Sequence, residues 1–521
     1  MKNPPSQTKL IFQNVSANYI VTGTELLLGI FMLPFNVAHL GQSAYGLWVL
    51  VASITVYFSM LDLGYGMAMV RFTARFRAKG DPRGLNETAS TMFCVFSGVG
   101  LLAFTIAFAI SMNLERVFSL TPEQASTGRI VLLFISGYIA LGFPFSVFGA
   151  IVNGFQRQYL NGVIAFVTAI VVAGVNVIVL LSGYGLAELV AATTAVRILS
   201  YFAYALNAYR VFPELRIRPS YFKRERLREA TAFSVFILII DIANKLNYST
   251  DAMVIGAFMG TSAVAIWAVA QRLIEIVQRV TDQINAVLFP VVVDNSTVQR
   301  TDRLQKILIQ GTRLSLAMVV PIATVLGLLA RPLVMIWVGP AFAESVNVIY
   351  ILCIVVALRV GNSTSAVILK GSDRHKFLAF ANISMAIGNL VLSVLLVRVY
   401  GLIGVAIGTL IPMIVISLFV VFPKACRRVE LSVFTVFRQS VWPAIWPALV
   451  MGGFVLLTRS NIGGSWSLMI LQSLAAALIY GGLFLLFAIS RNERDWYFNK
   501  VKEVFKRSPV ASAPTEASLP S

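Results

Sequence analysis

Arg272, Glu275, Arg279 and Asp282 follow one another at spacings of 3, 4 and 3 within "WAVAQRLIEIVQRVTDQINAVLFP" (267–290). At 100° per residue they fall within about 80° of one another on a helix, forming one polar stripe. Guanidinium groups on such a face suit an anion, because the planar fork matches phosphate or carboxylate oxygens two at a time. A second set, Asp241, Lys245, Tyr248 and Asp251, is spaced 4, 3 and 3; a third, Asn14, Asn18, Thr22 and Glu25, is spaced 4, 4 and 3. Arg313 and Arg359 stand apart, the latter beside "GNSTS" (361–365). The competing role is pairing: Glu275 with Arg272 or Arg279, and Asp241 with Lys245, are within reach on their own helices. Glu25 reads either as a coupling-ion carboxylate or as a helix contact. Arg272 and Arg359 are the stronger anion candidates, since Arg272 lies deep and Arg359 has no acid near it in sequence.

The elements that must carry these groups are membrane spans. The 521 residues are 58% hydrophobic and only 12% charged, with a mean hydropathy of +0.80. A soluble core does not hide that much apolar surface. Stretches of about 20 apolar residues, the length of a span, recur at 11–38, 44–69, 88–112, 125–152, 161–182, 185–208, 229–257, 263–289, 307–330, 346–369, 378–399, 401–423, 440–458 and 467–489. The expectation is an all-α polytopic membrane protein of about 14 transmembrane helices. A mid-span charge costs about 2.5–3.5 kcal/mol on insertion scales, so the stripes face protein or water. Pro34, Pro144, Pro321 and Pro412 lie in or near spans, where they can bend helices and free carbonyls toward a cavity.

Charge sets the orientation. With the N-terminus in the cytoplasm, 31 of the 42 Lys and Arg fall in cytoplasmic segments, 5 outside and 6 within spans. This positive-inside bias places both termini in the cytoplasm. The net charge of +19 therefore reflects topology, and the basic loop 210–229 serves as an anchor near anionic headgroups. No nucleic-acid role is expected. "MKNPPSQTKL" runs straight into the first span, which points away from a cleavable signal peptide. Three cysteines and two histidines make neither a disulfide framework nor a metal cluster, and no cofactor is expected.

The chain also resembles itself. "GQSAYGLW" (41–48) matches "GTSAVAIW" (260–267), "NGFQRQYL" (153–160) matches "KGSDRHKF" (370–377), and "SGYGLAELVAATT" (182–194) matches "RVYGLIGVAIGTL" (398–410). Each copy holds six spans, and an even number keeps orientation, so the copies are related by an axis along the membrane normal. The expected units are a six-helix lobe at 1–228, a second at 229–437, an appended helix pair at 438–490 and a cytoplasmic tail at 491–521. The start of that tail, 491–509, reads as an amphipathic surface segment.

An N-terminal span followed by "LGQSAYGLWVLVASITVYFSMLDLGYGMAMVRF" resembles the polysaccharide transporters, the Wzx-type flippases of the multidrug/oligosaccharidyl-lipid/polysaccharide exporter superfamily. The likeness covers nearly the whole chain. It implies a V-shaped cavity between two lobes and translocation of an undecaprenyl-diphosphate-linked oligosaccharide from the cytoplasmic to the periplasmic leaflet of the bacterial inner membrane. A cationic lumen is recurrent in such flippases, and Arg272, Arg313 and Arg359 would supply it. Asn14, Asn18, Lys245, Tyr248 and the cluster at 362–365 would meet the cargo beside them. Glu25, Asp241 and Glu275 would carry a coupling ion, H+ or Na+. Expected partners are the lipid-linked glycan, membrane lipids, and the polymerase and other proteins assembling an exopolysaccharide or a lipopolysaccharide O-antigen. The alternatives are a multidrug cation antiporter and a lipid II flippase. An enzyme is not expected, because the outward loops are short and no nucleotide-sugar motif, phosphate-cradling glycine loop or nucleophile constellation is present.

Overall fold

The computed structural model describes residues 7–62, 64–231, 250–298, 300–372, 375–462, 464–489 and 494. Most of the expected seventh span lies outside these residues, with Asp241, Lys245 and Tyr248, and so does nearly all of the tail. Among the described residues the regular elements are helical. Ten helices are long and apolar enough to cross a membrane, and two of them, Phe12–Asp62 and Lys376–Arg428, each span more than 50 residues. These two are pairs of expected spans that continue across a glycine.

Numbering the long helices in chain order, α1 (Gln7–Val56) turns at Gly41, with φ 78° and ψ 165°. Backbone in that region is open essentially to glycine alone. The start of α7 (Thr261–Thr297) repeats the feature, with Gly260 at φ 80° and ψ −178°. Gly41 and Gly260 occupy the same place in "GQSAYGLW" and "GTSAVAIW", so at this position the two copies share a backbone conformation as well as a letter.

The first lobe continues with α2 (Tyr65–Lys79), α3 (Pro82–Ser111), α4 (Pro122–Gly154), α5 (Gln158–Leu181) and α6 (Leu186–Val211). Two starts are fixed by side chains: Asp81 accepts from the Gly84 amide at 2.8 Å, and Thr121 and Gln124 cap each other reciprocally. Both are the expected answer to orphan N–H groups at a helix N-terminus. In this lobe α4 packs on α3 and α6, and α1 on α5. The second lobe contains α7, α8 (Thr301–Leu328), α9 (Ser345–Gly371) and α10 (His375–Ile414), with α9 against α7, α8 and α10. Helices α11 (Trp442–Thr458) and α12 (Trp466–Leu483) form a pair on the flank of α8. The four prolines named above all lie inside helices.

The basic loop after α6 does not hang free. Asn86 donates to the Glu214 carbonyl at 2.8 Å and accepts from the Arg216 amide at 2.9 Å. Thr91 accepts from the Lys223 amide at 2.9 Å, and Arg226 pairs with Glu87 at 3.3 Å. The loop is thus strapped along the first turns of α3.

Candidate functional site

Helix α7 packs on α1, and the two lobes meet along this contact. At one end the meeting is tight and polar. Gln42 donates to the Ser262 carbonyl at 3.2 Å, the Ser43 and Thr261 hydroxyls lie 3.2 Å apart, and Gln124 Nε2 reaches Ser43 at 2.8 Å. Ser119 donates to the Ala257 carbonyl at 2.8 Å, and Trp337 donates at 3.0 Å to the carbonyl of Ile30, eleven residues before the Gly41 turn. Behind them Leu47, Leu50 and Val51 share one apolar core with Ala263, Val264 and Trp267. We refer to this as the joined end.

Below it lies a cavity of about 950 Å³, walled by α1, α4, α5 and α6 of the first lobe and by α7 of the second. The stripe on α7 faces it: Gln271, Arg272, Glu275 and Arg279 all line the cavity. Their side chains form a chain of contacts at helical spacing. Trp267 donates to Gln271 at 2.9 Å, Gln271 to Glu275 at 3.2 Å, and Arg272 pairs with Glu275 at 3.4 Å. Arg272 also reaches the Glu25 carbonyl at 3.4 Å, crossing α1 where Gly29 leaves room. A β-carbon on Gly29 would overlap the guanidinium. Arg279 pairs across the lobes with the Glu25 carboxylate at 3.3 Å. Of the two partners expected for Glu275 it therefore takes Arg272, while Arg279 goes to another helix.

The opposite wall holds a group that spacing alone does not single out. Arg197 on α6 lines the cavity and is exposed to it, with its guanidinium 5.7 Å from the centre of the Tyr138 ring. Tyr138 stacks on Tyr201 at 5.2 Å, and Tyr201 on Phe145 at 5.5 Å, so a ladder of rings fixes the arginine from behind. Among the described residues no carboxylate pairs with it. Arg197 and Arg272 each lie eleven residues after the first residue of their helix, about 16 Å along it at 1.5 Å per residue. Both line the one cavity, from helices of different lobes. The charged groups on the cavity wall are three arginines, Arg197, Arg272 and Arg279, and two glutamates, Glu25 and Glu275.

Nearer the joined end the cavity changes character. Asn36 and Asn176 are each 5% exposed and line it, and among the described residues the Oδ1 of each has no hydrogen-bond partner. An orphaned buried polar group costs about 1–3 kcal/mol. Tyr45 and Trp48, edge to face at 6.3 Å, line the same chamber.

Other residues expected at the site lie elsewhere. Asn14 spends its amide on the turn between α4 and α5, donating to the Gln156 carbonyl and accepting from the Tyr159 amide, both at 2.9 Å. Asn18 is exposed on α1 and is not part of the cavity wall. Arg313, 9% exposed, is inside the second lobe, away from the lining. Arg359 lies in the field of Asp251 on the helical segment 250–258. Asp251 is itself 7% exposed and ends a polar chain: Thr409 donates to its Oδ2 at 3.3 Å, Asn389 to Thr409 at 3.1 Å, and Ser393 to Asn389 at 3.3 Å. Its Oδ1 has no hydrogen-bond partner among the described residues. The acid facing Arg359 is thus more than 100 positions away in sequence.

Comparison with known proteins agrees with this architecture. The chain is 25% identical over 484 residues to the "Probable flippase AglR" of Haloferax volcanii, covering 91% of this chain and 94% of that protein. The inward closed conformation of the lipid II flippase MurJ superposes with a TM-score of 0.72 at 16% identity, over 89% of this chain and 98% of that one. An inward-facing multidrug resistance MATE family transporter of the MOP superfamily gives a TM-score of 0.65 at 15% identity, over 82% and 99%. At these identities the two structures speak for the fold alone. The model of the family described as "Polysaccharide biosynthesis protein" matches residues 11–296, more than half of the sequence, and the chain belongs to that family.

Proposed function

We propose that the protein is a flippase that carries an undecaprenyl-diphosphate-linked oligosaccharide from the cytoplasmic to the periplasmic leaflet by alternating access. The observation that carries this reading is that two arginines on helices of different lobes, Arg197 and Arg272, line one cavity between the lobes. A diphosphate is costly to move through hydrocarbon, and two guanidinium groups on opposing walls replace its hydration with charge-assisted hydrogen bonds. The prenyl chain stays in lipid while the headgroup crosses between the lobes.

The excess of Lys and Arg supports placing the joined end at the periplasm, so the lobes in this structure receive cargo from the cytoplasmic side. Release requires the joined end to part. Outward movement of negative charge is favoured by an inside-negative potential, about 2.3 kcal/mol per charge per 100 mV. We assign a coupling cation, H+ or Na+, to Asp251, a buried carboxylate bonded by the Thr409 hydroxyl, with Arg359 as its counter-charge. Glu25 and Glu275 are held by arginines in this conformation, a weaker position for that task.

The test is translocation of fluorescent undecaprenyl-diphosphate oligosaccharide in proteoliposomes. Arg197→Ala and Arg272→Ala should each slow it by about 10- to 100-fold, the loss of one charged hydrogen bond. Asp251→Asn should keep binding but remove dependence on a Na+ or H+ gradient. Efflux of organic cations without lipid translocation would transfer the protein to the antiporters.

A further inference from the structure

We infer that the chamber between the arginines and the joined end is a glycan subsite built from Asn36, Asn176, Tyr45 and Trp48, so that the lipid-linked substrate seats sugar-first. This rests on the flippase reading above and adds where each part of the cargo lies. Asn36 stands five residues before the Gly41 turn, and Asn176 five residues before the last residue of α5. By helix rise Asn36 lies about 8 Å from the Gly41 turn and Asn176 about 8 Å from the end of α5, half the distance of Arg272 and Arg197 from the starts of their helices. The cavity has two tiers, cationic in the middle and neutral at the closed end.

The neutral tier has the chemistry of a sugar site. A side-chain amide offers two donors and a two-lone-pair acceptor, matching hydroxyl groups that both give and take protons. Each of the two residues is about nineteen-twentieths buried, and the Oδ1 of neither has a hydrogen-bond partner among the described residues. A half turn about the last torsion exchanges Nδ2 and Oδ1, so each amide presents either end to the lumen. Tyr45 and Trp48 add apolar ring faces against which the C–H face of a pyranose packs, with a polar tip on each ring. Nothing in this tier carries charge, so it would not hold a diphosphate. Small convergent sets of polar groups in an aromatic pocket are how ligand orientation is fixed.

The experiment measures binding of two probes to purified protein in nanodiscs by native mass spectrometry. One probe is bare undecaprenyl diphosphate; the other is the same lipid bearing one N-acetylhexosamine. The native protein should bind the glycosylated lipid at least about tenfold tighter, the worth of one or two hydrogen bonds. Asn36→Leu and Asn176→Leu, which keep the branched shape at Cγ but remove its polar atoms, should each remove most of that preference while leaving the bare lipid bound as before. Retained affinity for the bare lipid certifies that a variant is folded. Arg197→Gln should weaken both probes alike. Equal affinity of the native protein for the two probes would mean that the amides hold only water, and would overturn the inference. So would leucine variants that keep the preference or lose both probes together. An Arg197→Gln protein that binds both normally would instead remove the anion site, whatever the asparagines do.

Discussion

The guanidinium of Arg272 lies over α1 because residue 29 has no side chain. Its position is set by three weak holds: Glu275 at 3.4 Å, the Glu25 carbonyl at 3.4 Å, and the space above Gly29. Gly29→Ala should displace the head of Arg272, lower lipid translocation by about tenfold, and leave expression and thermal midpoint near native. A full-rate Gly29→Ala protein would show that the contact is incidental. What could be read in the sequence at this scale was uneven. The α7 stripe was legible, because four charges at helical spacing in an apolar stretch leave one face to share. Arg197 was not, since its partner is the ring of Tyr138, two helices back, and a lone arginine has no spacing to reveal it. Asn36 and Asn176 are single amides in apolar runs and send no periodic signal at all. Asn14 sent a false one. Its step of four to Asn18 mimics a stripe, but its amide closes the turn at 156–159.

At the scale of elements, the turn glycines carry the geometry. Gly41 and Gly260 each begin a segment that runs into the joined end, at φ 78° and 80°. Gly41→Ala and Gly260→Ala should each destabilise the protein by about 1–3 kcal/mol, the cost of a side chain in that backbone region. The check is the thermal midpoint in detergent. An unchanged midpoint in both would show that the turn relaxes without loss. The spans themselves were readable almost throughout, because hydropathy over 20 residues is a long, redundant signal. Where the break between two spans lay was less visible. At Gly41 and Gly401 the chain turns within one residue, and no polar loop marks the place. The self-similarity around residues 41 and 260 was the better guide, since it points to the glycine rather than to a loop.

At the scale of the molecule, the proposed transport cycle requires the joined end to open. The Ser43 and Thr261 hydroxyls, 3.2 Å apart, cross the boundary between the lobes. In a background lacking Cys94, Cys353 and Cys426, Ser43→Cys with Thr261→Cys should form a disulfide that halts translocation. Reductant should restore it, and lipid binding should persist in the locked form. Undiminished translocation in the crosslinked protein would exclude motion at this seam. The same seam has another consequence. Residues 42 and 43 contact 262 and 261, and by the repeat 42 corresponds to 261 and 43 to 262. The contact is therefore self-complementary, the pattern by which two copies of one surface meet about a dyad. A half-length ancestor bearing it would have paired with its own twin, and the gate would have existed as a homodimer interface before one chain encoded both sides.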